Sequence, residues 1–408
     1  MTRRRPIIAK RKSKTRNRRN HVRLSSQSFQ ILKRFWSSIC KYKQISLPDT
    51  DVLDSTDLSK IQSTTMYNHI PVEIRREFES SSQHGLKCET ILSRGQKVNI
   101  YIAVPVTDKR QKNIILHDMQ IFLNNIIAWL NFVSDIASRE CARTLNAYFL
   151  LTDAKKKFPK INTDPIEIIH ANTAFTTPCS SANNIFIFRR EEWFKVFMHE
   201  TFHCFGLDFS ASVGDESNER ILSLFPMIDP KTDIRLYETF CEIWAEVFHI
   251  LFCIFTTKNG KCLEFSEDKF LTTLKKEQYF SIYQSNRILG RSNYEYKDIR
   301  FKPSHNKPLY KENTQAFSYY VIKSVMLWNL DRYMKWCIEY ANAGKEYPPI
   351  QFDFSHISEY CDLVDELTSN DGNYKRMVER IKTNSTTMNH GYKSKNTIRM
   401  TSIDPKWI

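Results

Sequence analysis

His199-Glu200-Thr201-Phe202-His203 places two imidazoles four residues apart, with a carboxylate directly after the first. On a helix that spacing sets both rings on one face, one turn apart, where their nitrogens can reach a single cation. HExxH is the pattern of a zinc site that carries its own base. The ion lowers the pKa of a water towards about 7, and the glutamate takes its proton. The chemistry expected is attack of that water on a peptide bond or another suitable electrophile. Trp193, Phe194, Val196, Phe197, Phe202 and Phe205 are apolar, so the helix carries the polar trio inward. Burying such groups is costly unless they have partners. The alternative is a helix whose histidines only hydrogen-bond in the core.

A catalytic zinc site needs a third protein ligand and one open position. The longer pattern HExxHxxGxxH is matched as far as Gly206, but Phe209 stands where its third histidine would be. Asp208 and Asp215 are near enough in sequence to serve. The stronger candidate is Glu238-Thr239-Phe240-Cys241-Glu242-Ile243-Trp244-Ala245, where Glu238 and Glu242 are one helical turn apart in an otherwise apolar run. One of these carboxylates could bind the ion while the other accepts a ring N–H from a ligand histidine. Glu238 as ligand with Glu242 in support is one register; Glu242 as ligand with Glu246 in support is the other. An oxyanion beside the metal needs a donor, for which Tyr237, His249, Tyr319 and Tyr320 are candidates. Each of them could equally pack in a helical core.

HExxH followed some 35 residues later by ExFxExWA resembles the gluzincin class of zinc peptidases. The resemblance implies that Zn2+ is bound by His199, His203 and Glu238, that Glu200 is the general base, and that Glu242 supports the site. The string EEWFKVFMHETFHCFGLDFS, with NTAFTTPC upstream, is similar to uncharacterised metallopeptidases of large DNA viruses of eukaryotes, over residues 90–345. It implies a zincin-like fold, a protein or peptide substrate of viral or host origin, and a place in an infected cell or a virion. A rival reading is a non-catalytic virion or nucleic-acid-associated protein on a degenerate peptidase scaffold. Retention of Glu200 argues against it, because a structural zinc site needs no base.

The elements that would position these residues are legible in the periodicity. Residues 96–106 alternate as a half-buried strand, 113–140 have helical spacing, and 144–152 and 183–190 read as further strands. The strand NNIFIFRR feeds the motif helix, which should end at Gly206, and it stands where a substrate-pairing edge strand is expected. Beyond residue 232 the chain is mostly helical. The fold class expected is α+β: a small sheet, the motif helix and a helical C-terminal half. The domains expected are a basic disordered arm (1–48), a linker (49–65), the catalytic domain (66–345) and a polar C-terminal extension (346–408).

The net charge of +15 is concentrated, since all fifteen Lys and Arg before Asp49 meet no acid and the remaining chain balances to zero. Arg3, Arg4, Arg5, Lys10, Arg11, Lys12, Lys14, Arg16, Arg18 and Arg19 form a segment suited to nucleic acid or an import receptor, or to a solvated tail. No apolar run follows these residues as in a secretory signal, and no segment is long and apolar enough to span a bilayer. A cytoplasmic or nuclear location follows, with the ten scattered cysteines expected as reduced thiols.

Overall fold

Six strands, the longest of them nine residues, build one sheet. The computed structural model describes residues 23–105, 112–161, 164–210, 215–341, 350–352, 354–383 and 397–406. In chain order the first half contains α1 (Ser26–Tyr42), β1 (Asp51–Val52), α2 (Ser55–Gln62), α3 (Val72–Ser80), β2 (Gln83–Ile91), β3 (Lys97–Pro105), α4 (Lys112–Ile136) and β4 (Thr144–Thr152). A single turn α5 (Ile168–Ala171), then β5 (Ala174–Thr176) and β6 (Ala182–Arg189), lead into α6 (Trp193–Cys204). Helices follow: α7 (Asp215–Leu224), α8 (Leu236–Phe255), α9 (Glu267–Arg291), a π-helical stretch at Phe317–Ile322, α10 (Lys323–Trp328), α11 (Leu330–Trp336), α12 (Ile357–Asn370) and α13 (Gly372–Thr383). The protein is thus mixed α+β, as expected.

The sheet order is β1-β2-β3-β4-β6-β5, with β3, β4 and β6 parallel and the remaining pairs antiparallel. β6 therefore lies inside the sheet, and the edge strand beside α6 is β5, a correction to the expectation for NNIFIFRR. Alternation sends Ile185 and Ile187 of β6 into the main core and Phe186 and Phe188 to the opposite face. On that opposite face Tyr101, Tyr148, Phe186 and Phe175 stack in sequence across four neighbouring strands, at centroid spacings of 5.1, 4.5 and 5.4 Å. Ile61 of α2 and Ile74 and Phe78 of α3 cover it.

Compact structure begins well before Met66, because Phe29, Leu32, Phe35, Trp36 and Ile39 recur at helical spacing and place α1 in the main core. The span 1–48 is therefore not disordered throughout; the basic residues Arg3 to Arg19 lie outside the described residues. The expected linker contains β1 and α2, the latter closed by a capping box between Asp54 and Asp57. The C-terminal span contributes α12, α13 and a buried segment in which the backbone N–H groups of Met400 and Thr401 each donate to Glu192 at 2.7 Å. Among the described residues no helix is long and apolar enough to cross a membrane.

The cysteines depart from expectation. Cys40 pairs with Cys262 and Cys141 with Cys179, while the other six are free and buried. The pairing joins residues 222 and 38 positions apart, so no local spacing announces it. The expectation of a reducing compartment loses the support of uniformly reduced thiols.

Candidate metal centre

α6 leaves the sheet through Glu192, a non-glycine residue at φ +61°. That left-handed conformation costs on the order of 1 kcal/mol or more. Glu192 is held there by Lys156 at 2.8 Å and by the two backbone donors of the C-terminal segment. At its other end α6 stops at Gly206, φ +63°, as expected. Gly206 N–H donates to His203 and Leu207 N–H to Phe202, the paired bonds of a Schellman turn. This turn brings Asp208 back beside the helix that it follows. Trp129 of α4 donates to Thr201 at 2.9 Å and anchors the middle of α6.

α6 and α8 pack together and bring three donor atoms to one point. Glu238 Oε2 lies 3.0 Å from His199 Nε2 and 3.5 Å from His203 Nε2, and the two Nε2 atoms are 3.0 Å apart. All three residues are at least nine-tenths buried. On the far side of the rings, His203 Nδ1 lies 2.5 Å from Asp208 Oδ2, and Ser210 donates to the other Asp208 oxygen at 2.8 Å. His199 Nδ1 lies 3.2 Å from Glu242 Oε1, outside hydrogen-bond alignment. Glu242 is in turn bonded by Lys195, one turn before His199 on α6. With both Nδ1 atoms facing carboxylates, both Nε2 atoms present lone pairs. Two such nitrogens and a carboxylate oxygen this close repel one another unless a cation or protons lie among them. Two imidazoles and a carboxylate, each ring backed by an acid, are a donor set that fits Zn2+.

Electrostatics describe the same competition. Burial opposes charge on His199, but its contacts with Glu238 and Glu242 prevail and raise the pKa to about 9. Burial likewise opposes charge on His203, and Cys241, Asp208 and Glu238 raise its pKa well above normal. Burial disfavours the Glu238 charge, yet His203 and His199 bring its pKa well below the usual range. In the metal-free chain protons hold the cluster together, and a metal ion would displace them. Glu200 differs from the others: burial raises its pKa against the charges of His199 and His203. Its carboxylate hydrogen-bonds to none of the described residues.

Of the four oxyanion candidates the fold brings two to the cluster. The Tyr319 ring lies 5.9 Å from His199, on the π-helical stretch, and its hydroxyl hydrogen-bonds to none of the described residues. Tyr237 packs edge-on to His203 at 5.7 Å, with its hydroxyl accepting from Arg235 at 2.8 Å. Tyr320 instead donates to the Ile398 carbonyl, and His249 meets the Ile403 carbonyl at 3.2 Å. Neither faces the cluster, because His249 is three turns along α8, roughly 16 Å from Glu238, and Tyr320 points away from Tyr319 on its own turn.

In the second register of α8 Glu246 would be the supporting group; it lies 2.8 Å from Lys323 and 4.0 Å from Lys195 and is not among the three converging residues. Asp208 supports His203 and supplies none of the three converging atoms; the Asp215 side chain lies outside the described residues. Lys195 was not legible as part of the site. Its signal is its position four residues before His199 on the same helical face, opposite an acidic helix. No family model, curated protein or solved structure matches the chain, so what the site can do is read from its own geometry.

Proposed function

We propose that the protein is a zinc-dependent endopeptidase of zincin-like fold, with His199, His203 and Glu238 as metal ligands and Glu200 as general base. The observation that carries this reading is the convergence of His199 Nε2, His203 Nε2 and Glu238 Oε2 within 3.5 Å, with a carboxylate behind each ring. A zinc ion bound there would supply positive charge that acidifies water and polarises a substrate carbonyl. Glu200 follows the first ligand, has a raised pKa and hydrogen-bonds to none of the described residues, so it is suited to take a proton from water and return it to the leaving amine. Asp208 and Glu242 orient the rings, and Lys195 holds Glu242.

The Tyr319 hydroxyl, which hydrogen-bonds to none of the described residues, would donate to the developing oxyanion. β5 pairs with no described strand on its outer side, which suits it to align an extended peptide. The deciding experiment is Glu200→Gln assayed on a fluorogenic peptide library. The variant should retain zinc and lose on the order of 100- to 10,000-fold in hydrolysis. Undiminished turnover would refute the role of Glu200, and zinc-independent turnover by the wild type would refute the reading as a whole.

A further inference from the structure

The Cys141–Cys179 disulfide takes no part in the hydrolysis proposed above, yet it lies against the turn that completes the metal centre. A Cβ added at Gly206 would stand 2.8 Å from Cys141 Sγ, 3.1 Å from Cys179 Cβ and 3.4 Å from Cys179 Sγ. Glycine is thus required here twice, for its φ of +63° and because the bridge fills the space that a side chain would take. Gly206 N–H closes on the His203 carbonyl and Leu207 N–H on that of Phe202, and Asp208 follows with Oδ2 2.5 Å from His203 Nδ1. The bridge therefore packs two residues from the group behind a ligand ring. On its other side Cys141 precedes Ala142, a non-glycine residue held in the strained left-handed region at φ +49°. Separated thiols need more room than bonded sulfurs, and in so close a packing Gly206 leaves none on its side, while Ala142 can relax once its neighbour is released.

Cys141 is buried, whereas Cys179 is half-buried in the β5–β6 turn beside the exposed Thr177, Pro178 and Ser180, so Cys179 offers the sulfur that a reductant can reach. A dithiol thiolate attacking it forms a mixed disulfide and releases Cys141 as a thiolate, which takes up a proton; the second thiol of the reagent then displaces Cys179. Two electrons pass from the dithiol to the bridge, leaving two protein thiols and a reagent disulfide. Ala142 N–H still donates to the Ser180 carbonyl at 2.7 Å and Thr144 N–H to that of Ser181 at 3.0 Å, so the two thiols stay near enough to pair again. We propose that this bridge is a redox switch on the metal centre, bracing the Gly206 turn and Asp208 behind His203 when formed, and slackening both when a dithiol reduces it. The inference rests on the reading of His199, His203 and Glu238 as zinc ligands.

The test measures the zinc affinity of the full chain by chelator competition. Cys141→Ser/Cys179→Ser should weaken it about 10- to 100-fold, the range for losing a group that orients a ligand histidine. Cys40→Ser/Cys262→Ser removes the bridge at the far end of α8 from Glu238 and should leave it unchanged. Placed in Asp208→Ala, the first pair of changes should cause almost no further loss, since both act through one contact. Reciprocally, saturating zinc should make Cys141–Cys179 of the wild type harder to reduce, its midpoint potential falling by about 30 mV for each tenfold of coupling. Alkylation and mass spectrometry after equilibration with a graded dithiol couple, free zinc being buffered, read this shift without any variant. The switch is overturned if the folded serine pair binds zinc normally, if its loss adds in full to that of Asp208→Ala, or if zinc leaves the midpoint unmoved. A wild type that binds no zinc is a different result: it refutes the ligand assignment, and the switch with it.

Discussion

Asp208 Oδ2 lies 2.5 Å from Nδ1 of His203, five residues after it in sequence and on the opposite side of the ring from the point where His199, His203 and Glu238 converge. The Schellman turn at Gly206 creates this contact. Asp208→Ala should therefore weaken zinc affinity by about 10- to 100-fold while leaving three ligands in place. Competition titration with a chromophoric chelator measures it; an unchanged dissociation constant would show that His203 needs no support.

The two glutamates of α8 should separate cleanly. Glu238→Ala removes one of three converging atoms and should leave a site that binds zinc very weakly, whereas Glu242→Ala removes only the group behind His199 and should lose about 10- to 100-fold. Dissociation constants for both variants decide between them. If Glu242→Ala is the metal-free protein, the ligand register lies one turn further along the helix.

Lys195 holds Glu242 in a fully buried ion pair and stands 4.0 Å from Glu246. Lys195→Met leaves buried carboxylates short of a partner and should destabilise the metal-free protein by about 3–5 kcal/mol. The double variant Lys195→Met/Glu242→Gln should recover part of that loss. Urea unfolding of the metal-free proteins provides the cycle, and strict additivity of the two single changes would show that the pair is not coupled.

Glu312 is buried, accepts from the Tyr310 hydroxyl at 2.5 Å and from Phe317 N–H at 2.9 Å, and burial raises its pKa from 4.5 to about 8. A carboxyl raised in the folded state binds its proton more tightly there than in the unfolded chain. Its contribution to stability is fully present below about pH 4.5 and is lost as pH rises through about 8. Relative to Glu312→Gln, the wild type should thus become less stable across that window, by a few kcal/mol at most. Unfolding free energies of both proteins at about pH 5, 7 and 9 test this, and a difference that does not vary with pH would rule it out.

Much of the site was legible because its signals are local. The four-residue spacing of His199 and His203, the glycine stop at Gly206 and the one-turn spacing of Glu238 and Glu242 are set by the geometry of single helices. The strands β3, β4 and β6 were likewise legible from alternation. What alternation does not carry is which strand lies at an edge, and β5, three residues long, has no period to read. α1 escaped because the positive charge of its surroundings obscured a buried stripe at Phe29, Leu32, Phe35, Trp36 and Ile39.

Sequence alone determined which residues share a helical face; tertiary structure decided which faces meet. The approach of α6 to α8 chose Glu238 as the third converging atom and Glu242 as the group behind His199, because a shift of one helical turn moves a carboxylate by about 5.4 Å, more than a metal–ligand bond can absorb. It also separated Tyr319 from Tyr320, adjacent in sequence on the π-helical stretch, and set only the first beside His199. The cysteine pairs and the buried lysine–glutamate pairs belong to the same class. They join residues from 36 to 222 positions apart, and such contacts exist only once packing has closed the intervening chain.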